Sequence, residues 1–316
     1  MKVLPSPDSL GPAVAFLLFG VACGLGLDLC AKALLSTYSL EQFVFLRSIV
    51  GLLFFISIAR WYGGLSSMRS ARWRWHLVRT LLATGSMFGF FYGLMFMPLV
   101  TALTLAFTAP LIVTALSVPL LGEHVGWRRW LAVVIGFVGV LMILRPGTGM
   151  FNFAALVVLG SAVCYAGLAI TARKLAATES SFALSVYVLI GPLFASAITV
   201  PGDYIEPDAT GWLLFVLAGL CSAGAWIGVV GGYRRAPPAL LAPLEYTALI
   251  GAALAGYWIW DEVPDRWVVF GALTIIGSGL FIVYREIGQL VTTRYTRVFT
   301  VIADAIIARR HARPPE

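Results

Sequence analysis

"FTAPLIVTALSVPLLGE" (107–123) and "YTALIGAALAGYWIWDE" (246–262) lie 139 residues apart and share one plan. Each opens on an aromatic–Thr–Ala step, continues through a long run with no charged residue, and closes on a glutamate, Glu123 in one and Glu262 in the other. Runs of this length, without polar alternation, read as helices rather than strands. The same shift carries Gly85, Gly89 and Gly93 onto Gly224, Gly228 and Gly232, and Pro98 onto Pro237. A shift of 142 aligns Lys32 with Lys174. The chain is therefore read as a duplication.

Composition says where such a duplication lives. Hydrophobic residues make up 60% of the chain and charged residues 12%, against about 25% charged in a soluble domain; mean hydropathy is +0.91. A bilayer core about 30 Å thick takes roughly 20 helical residues per crossing, and only helices or closed barrels satisfy their own backbone there. Ten spans are predicted, at about 12–35, 41–60, 75–96, 99–121, 127–144, 151–172, 180–200, 211–233, 238–260 and 267–284. The fold class is an all-α membrane protein whose ten transmembrane helices form two repeats. The division is 1–11 as an N-terminal segment, 12–145 and 151–285 as the repeats, and 286–316 as a basic tail able to form an amphipathic helix on an anionic leaflet. Five spans per repeat is an odd number, so the second copy must cross the bilayer inverted.

The formal charge of +7 is first a statement about topology. With the N-terminus cytoplasmic, eighteen of the twenty-two basic residues fall on that side, and the acidic loop "PGDYIEPDATG" (201–211) falls outside. Both termini are thus expected in the cytoplasm, and a nucleic-acid partner is not expected. The first apolar run is longer than a secretory signal and lacks a cleavage site, so it is expected to be retained. With no organellar transit signal, a bacterial inner membrane is the expected address. Cys23, Cys30, Cys164 and Cys221 have no C-x-x-C spacing, and His76, His124 and His311 are scattered; neither a disulfide framework, a metal nor a cofactor is expected. No G-x-x-x-x-G-K-[ST] loop or H-E-x-x-H motif is found, which argues against ATP-driven pumping and against an enzyme. A polytopic membrane enzyme or lipid-processing protein is the alternative, and a channel is disfavoured by the inverted duplication.

The chain resembles the EamA branch of the drug/metabolite transporter superfamily over about residues 12–285. The resemblance is carried by the span-two arginine in "EQFVFLRSIVG", by "FTAPLIVTALSVPLLGEHVGWRRWLAVVIGFVGVLMILRP", and by its counterpart "APLEYTALIGAALAGYWIWDEVPDRW". It implies a central cavity lined by spans one, three, four, six, eight and nine, with small organic solutes passing by alternating access. The superfamily's solutes include amino acids, amines, vitamins and S-adenosylmethionine.

Ionisable groups inside a membrane are costly and usually face a cavity or a partner. Glu245 lies about 9 Å into span nine, two residues after Pro243, which lacks an N–H and is expected to break the helix beside the acid. Such a carboxylate could bind a cation or take up a proton; its structural alternative is a hydrogen bond to Tyr246 or to a neighbouring helix. Asp28, deep in span one, is the second candidate for solute recognition or coupling, although Lys32 at i+4 could neutralise it. Arg47 reads mainly as structural, snorkelling or binding a carbonyl. Tyr92, Phe107, Thr108, Tyr165, Trp226 and Tyr246 complete the expected solute-binding set, their rings suited to cations. Cationic or zwitterionic metabolites are the expected class, and a homodimer is allowed.

Overall fold

The computed structural model describes residues 7–62, 70, 72–122, 126–145, 153–175, 178–202, 204–236 and 238–285. Glu123 and the basic tail 286–316 lie outside the described residues. Among the described residues no strand occurs. The helices are α1 (Pro7–Leu34), α2 (Leu40–Ile58), α3 (Trp73–Phe96), α4 (Leu99–Ala106), α5 (Ala109–Leu121), α6 (Trp127–Leu144), α7 (Phe153–Leu175), α8 (Ser181–Thr199), α9 (Ala209–Arg235), α10 (Pro238–Glu245), α11 (Thr247–Trp260) and α12 (Arg266–Arg285). Nine stretches of the described chain are long and apolar enough to cross a bilayer. The tenth crossing is α10 and α11 together, divided at Tyr246.

The helix ends repeat as the sequence does. Ser39 caps α2 by accepting the Gln42 N–H at 3.2 Å, and Ser180 caps α8 by accepting the Ala183 N–H at 2.9 Å. Gly122 closes α5 in the left-handed region at φ 67°, and Asp261, 139 residues on, closes α11 there at φ 52°. Aspartate is among the few non-glycine residues that visit this region readily. This explains the shared Gly-Glu and Asp-Glu endings: the first residue is the left-handed cap.

The glycine ladders join the two repeats. α3 lies on α7 and α9 lies on α1, so each ladder packs against the opposite half. A Cβ at Gly89 would sit 3.1 Å from the Val157 carbonyl oxygen, and one at Gly228 would sit 2.6 Å from that of Phe16. Only glycine permits this approach. In lipid, association rests on such van der Waals packing because the solvent is as apolar as the side chains. Around these pairs α2 packs on α8 and α9, and α3 on α8, over a core that includes Phe43, Phe91, Phe215, Leu99 and Leu105. Two inverted five-helix units thus interlock around the centre of the molecule.

Candidate functional site

Both divided spans break at the aromatic–threonine step. α4 ends at Ala106 and α5 begins at Ala109; α10 ends at Glu245 and α11 begins at Thr247. The Thr108 hydroxyl donates to the Leu105 carbonyl at 2.6 Å, and the Thr247 hydroxyl donates to the Leu244 carbonyl, also at 2.6 Å. Hydroxyl groups at a break have no water to turn to inside a bilayer, and each threonine satisfies its own by bonding the carbonyl three residues back. Thr108 was expected to meet solute; it is instead buried, with its hydroxyl committed to the backbone. The two breaks meet each other, the rings of Phe107 and Tyr246 lying 5.1 Å apart.

Glu245 stands at the second break, half-buried. The Tyr233 hydroxyl of α9 donates to its Oε1, and Tyr246 and Tyr165 are within reach of its charge. Tyr165 belongs to α7, which packs on α3, α4 and α5, whereas α10 packs on α1, α9 and α11. Tyr165 of α7 and Tyr233 of α9 thus approach the same carboxylate from two different helices.

The second acid is placed differently from what its spacing suggests. Lys32 is drawn away from Asp28 to form an ion pair with Glu262. The charge facing Asp28 is instead Arg47 of α2. Arg47 neither snorkels nor binds a carbonyl: it is 2% exposed and donates to Ser222 Oγ at 2.8 Å and to Met87 Sδ. The rings of Phe43 and Phe91 lie 6.0 and 5.8 Å from its guanidinium carbon. Asp28 is partly exposed and makes no ion pair within 4 Å among the described residues.

Two further aromatics of the expected set have apolar partners. Trp226 packs into apolar clusters with Leu82, Ala83, Leu168 and Val188 and with Phe55 and Phe182, so its ring serves the helix interfaces. Tyr92 pairs with Phe96, ring centroids 4.9 Å apart. Tyr233, one of the aromatics the sequence places near the acids though not in the expected binding set, is the neighbouring-helix partner of Glu245; their twelve-residue separation is not a helical spacing. Among the described residues no cluster of three His, Cys, Asp or Glu could hold a metal ion.

At the end of the molecule opposite the chain termini, Glu262 joins three helices. It binds Lys32 of α1, accepts the Leu99 N–H that opens α4 at 3.1 Å, and follows the cap of α11. Lys32 also lies over the Trp260 ring, 5.2 Å from its centre. These contacts tie α1, α4 and α11 together at this end, where α11 also packs on α4. Their repeat counterparts α5 and α10, toward the termini, do not form an extensive packed pair among the described residues.

The profile of the EamA-like transporter family matches residues 11–145 and again 152–284. The chain is 32% identical over 255 residues to the S-adenosylmethionine uptake transporter of Rickettsia prowazekii (strain Madrid E), covering 80% of this chain and 84% of that one. It is 31% identical over 223 residues to a riboflavin transporter of Vibrio cholerae, covering 70% and 74% of the two chains. It is 27% identical over 253 residues to a pseudopaline exporter of Pseudomonas aeruginosa, covering 78% and 85%. A solved crystal structure shares the fold with a TM-score of 0.62 at 20% identity, covering 88% of this chain and 98% of that one. Duplicated sequence, interlocked inverted halves and full-length relatives agree: the chain is an integral membrane transporter of small molecules and belongs to the EamA-like transporter family.

Proposed function

We propose that this transporter carries cationic or zwitterionic organic metabolites of the S-adenosylmethionine type by alternating access across a bacterial inner membrane, with both termini cytoplasmic. One observation supports the reading: Glu245 at the α10–α11 break accepts from Tyr233, with Tyr165 and Tyr246 within reach of its charge. A carboxylate with aromatic faces around it suits a sulfonium or ammonium centre, each ring adding about 0.5–2 kcal/mol through its quadrupole. Asp28, with Arg47 behind it, offers a second charge for a zwitterion or for a coupling proton. Relatives named for S-adenosylmethionine uptake support this choice over riboflavin.

The Lys32–Glu262 joint supports reading the conformation as closed at the outer end, with the inner halves α5 and α10 apart. Inverted repeats exchanging these arrangements would expose the central acid to either side. The test is uptake of labelled S-adenosylmethionine by proteoliposomes. Saturable uptake, accelerated by unlabelled solute on the opposite side and competed by other sulfonium or amine metabolites, is expected. Uptake of riboflavin alone, with no competition by cations, would assign another solute class.

A further inference from the structure

Away from the centre, at the terminal-side ends of α6 and α12, Gly126, Trp127, Arg128, Arg129 and Arg285 line a cavity of about 140 Å³. Three of its five lining residues are arginines; Arg129 already engages another group of the protein, so Arg128 and Arg285 carry the attraction for an anion. Gly126 caps α6 without a side chain, and the first turn of that helix carries no acid, so nothing in the helix opposes an anion. Arg128 lies 5.4 Å from the Trp127 ring centre.

The surroundings show what kind of anion fits. Trp127 is 69% exposed and Tyr284 is 71% exposed, a placement aromatic side chains favour at the headgroup level of a bilayer. Farther along the same two helices the outer faces of α6 (Val134, Leu141) and α12 (Leu273, Phe281) are exposed and apolar. A soluble anion would use only the arginines. A phospholipid would use the arginines for its phosphate and the apolar faces for its chains, and arginine is suited to planar, multidentate phosphate contact.

We propose that this cavity holds the headgroup phosphate of an anionic phospholipid, with its acyl chains along α6 and α12. The site is separate from the solute path and does not depend on which solute is carried. Native mass spectrometry of the full-length protein, titrated with phosphatidylglycerol, phosphatidylcholine or inorganic phosphate, tests it. The wild type should retain phosphatidylglycerol at least about tenfold better than phosphatidylcholine. The triple variant Arg128→Gln, Arg129→Gln, Arg285→Gln should lose that preference, and the Arg→Lys triple should keep most of it. Equal retention of the two lipids by the wild type, or an undiminished preference in the Gln triple, overturns the proposal. Displacement of lipid by millimolar phosphate would assign a soluble anion instead, and a dimer that excludes lipid would assign a second copy; either outcome also overturns it. Should the Gln triple fail to fold, the wild type decides: its preference should collapse at high salt, and a salt-insensitive preference sinks the idea.

Discussion

At the residue scale the acid at the break in span nine has one partner in the structure, the Tyr233 hydroxyl, and under the proposed function a second, a cationic solute whose attraction depends on the full negative charge. In Glu245→Gln the amide oxygen can still accept from Tyr233, so the fold should survive with its melting temperature within a few degrees. Loss of a charged partner is worth about 1.5–3 kcal/mol, so uptake of a cationic solute at low concentration should fall by roughly tenfold to a hundredfold. The pH response follows in sign: protonating a carboxylate removes its attraction for a cation, so wild-type uptake should fall as pH falls, and the variant should lack that dependence. Uptake by Glu245→Gln that equals wild type across pH would remove the acid from the mechanism. That Glu245 would need a partner was legible because a carboxylate in an apolar run is costly. Which residue it would be was not, because Tyr233 stands twelve residues away, which is not a helical spacing. Lys32 shows the converse limit: its i,i+4 spacing to Asp28 is real, yet Glu262, 230 residues away, wins the charge because folding sets it beside α1.

At the element scale the glycine ladders were visible as a four-residue period, but which helix each would touch was decided by the interlocking of the halves. Period alone says that a close approach exists, not against what. The ladder on α9 can be tested against a glycine outside it. A Cβ at Gly228 would lie 2.6 Å from the Phe16 carbonyl, whereas nothing lies within 4 Å of one at Gly24. Gly228→Ala must therefore part α1 from α9, and a loss of about 1–3 kcal/mol is expected, as for other overpacked interiors. Gly24→Ala should be neutral or stabilising by up to about 1 kcal/mol, since alanine is the better helix former. Thermal unfolding in detergent checks both, and equal melting temperatures would mean that the α1–α9 contact does not hold the halves together. The breaks at Phe107 and Tyr246 had a comparable history. The matched threonines were visible in the sequence, but their role as backbone partners depends on where each helix ends.

For the molecule as a whole, the proposed alternating access requires something to hold one end closed. Lys32, Glu262 and the first amide of α4 form a joint among α1, α4 and α11, and their side chains are mostly buried, at 11% and 20% exposure for Lys32 and Glu262. Partly desolvated pairs of this kind hold more firmly than surface ones, which contribute about 0–1 kcal/mol. Repeat correspondence gives Glu123 the equivalent sequence position for a reciprocal joint when the other end closes. Glu262→Gln removes the charge that holds Lys32 while keeping an oxygen for the Leu99 N–H, so the population should shift toward states open at that end. Cys30 of α1 is free, partly buried and two residues from Lys32. With the other three cysteines replaced by serine, a membrane-impermeant maleimide added outside should label Cys30 slowly in the parent. Labelling should quicken several-fold in Glu262→Gln, because release of Lys32 loosens the end of α1 on which the partly buried thiol lies. A rate unchanged by the substitution, in protein shown to be folded and to transport, would mean that the joint merely ties helix ends and that closure is set by the packing of α4 on α11.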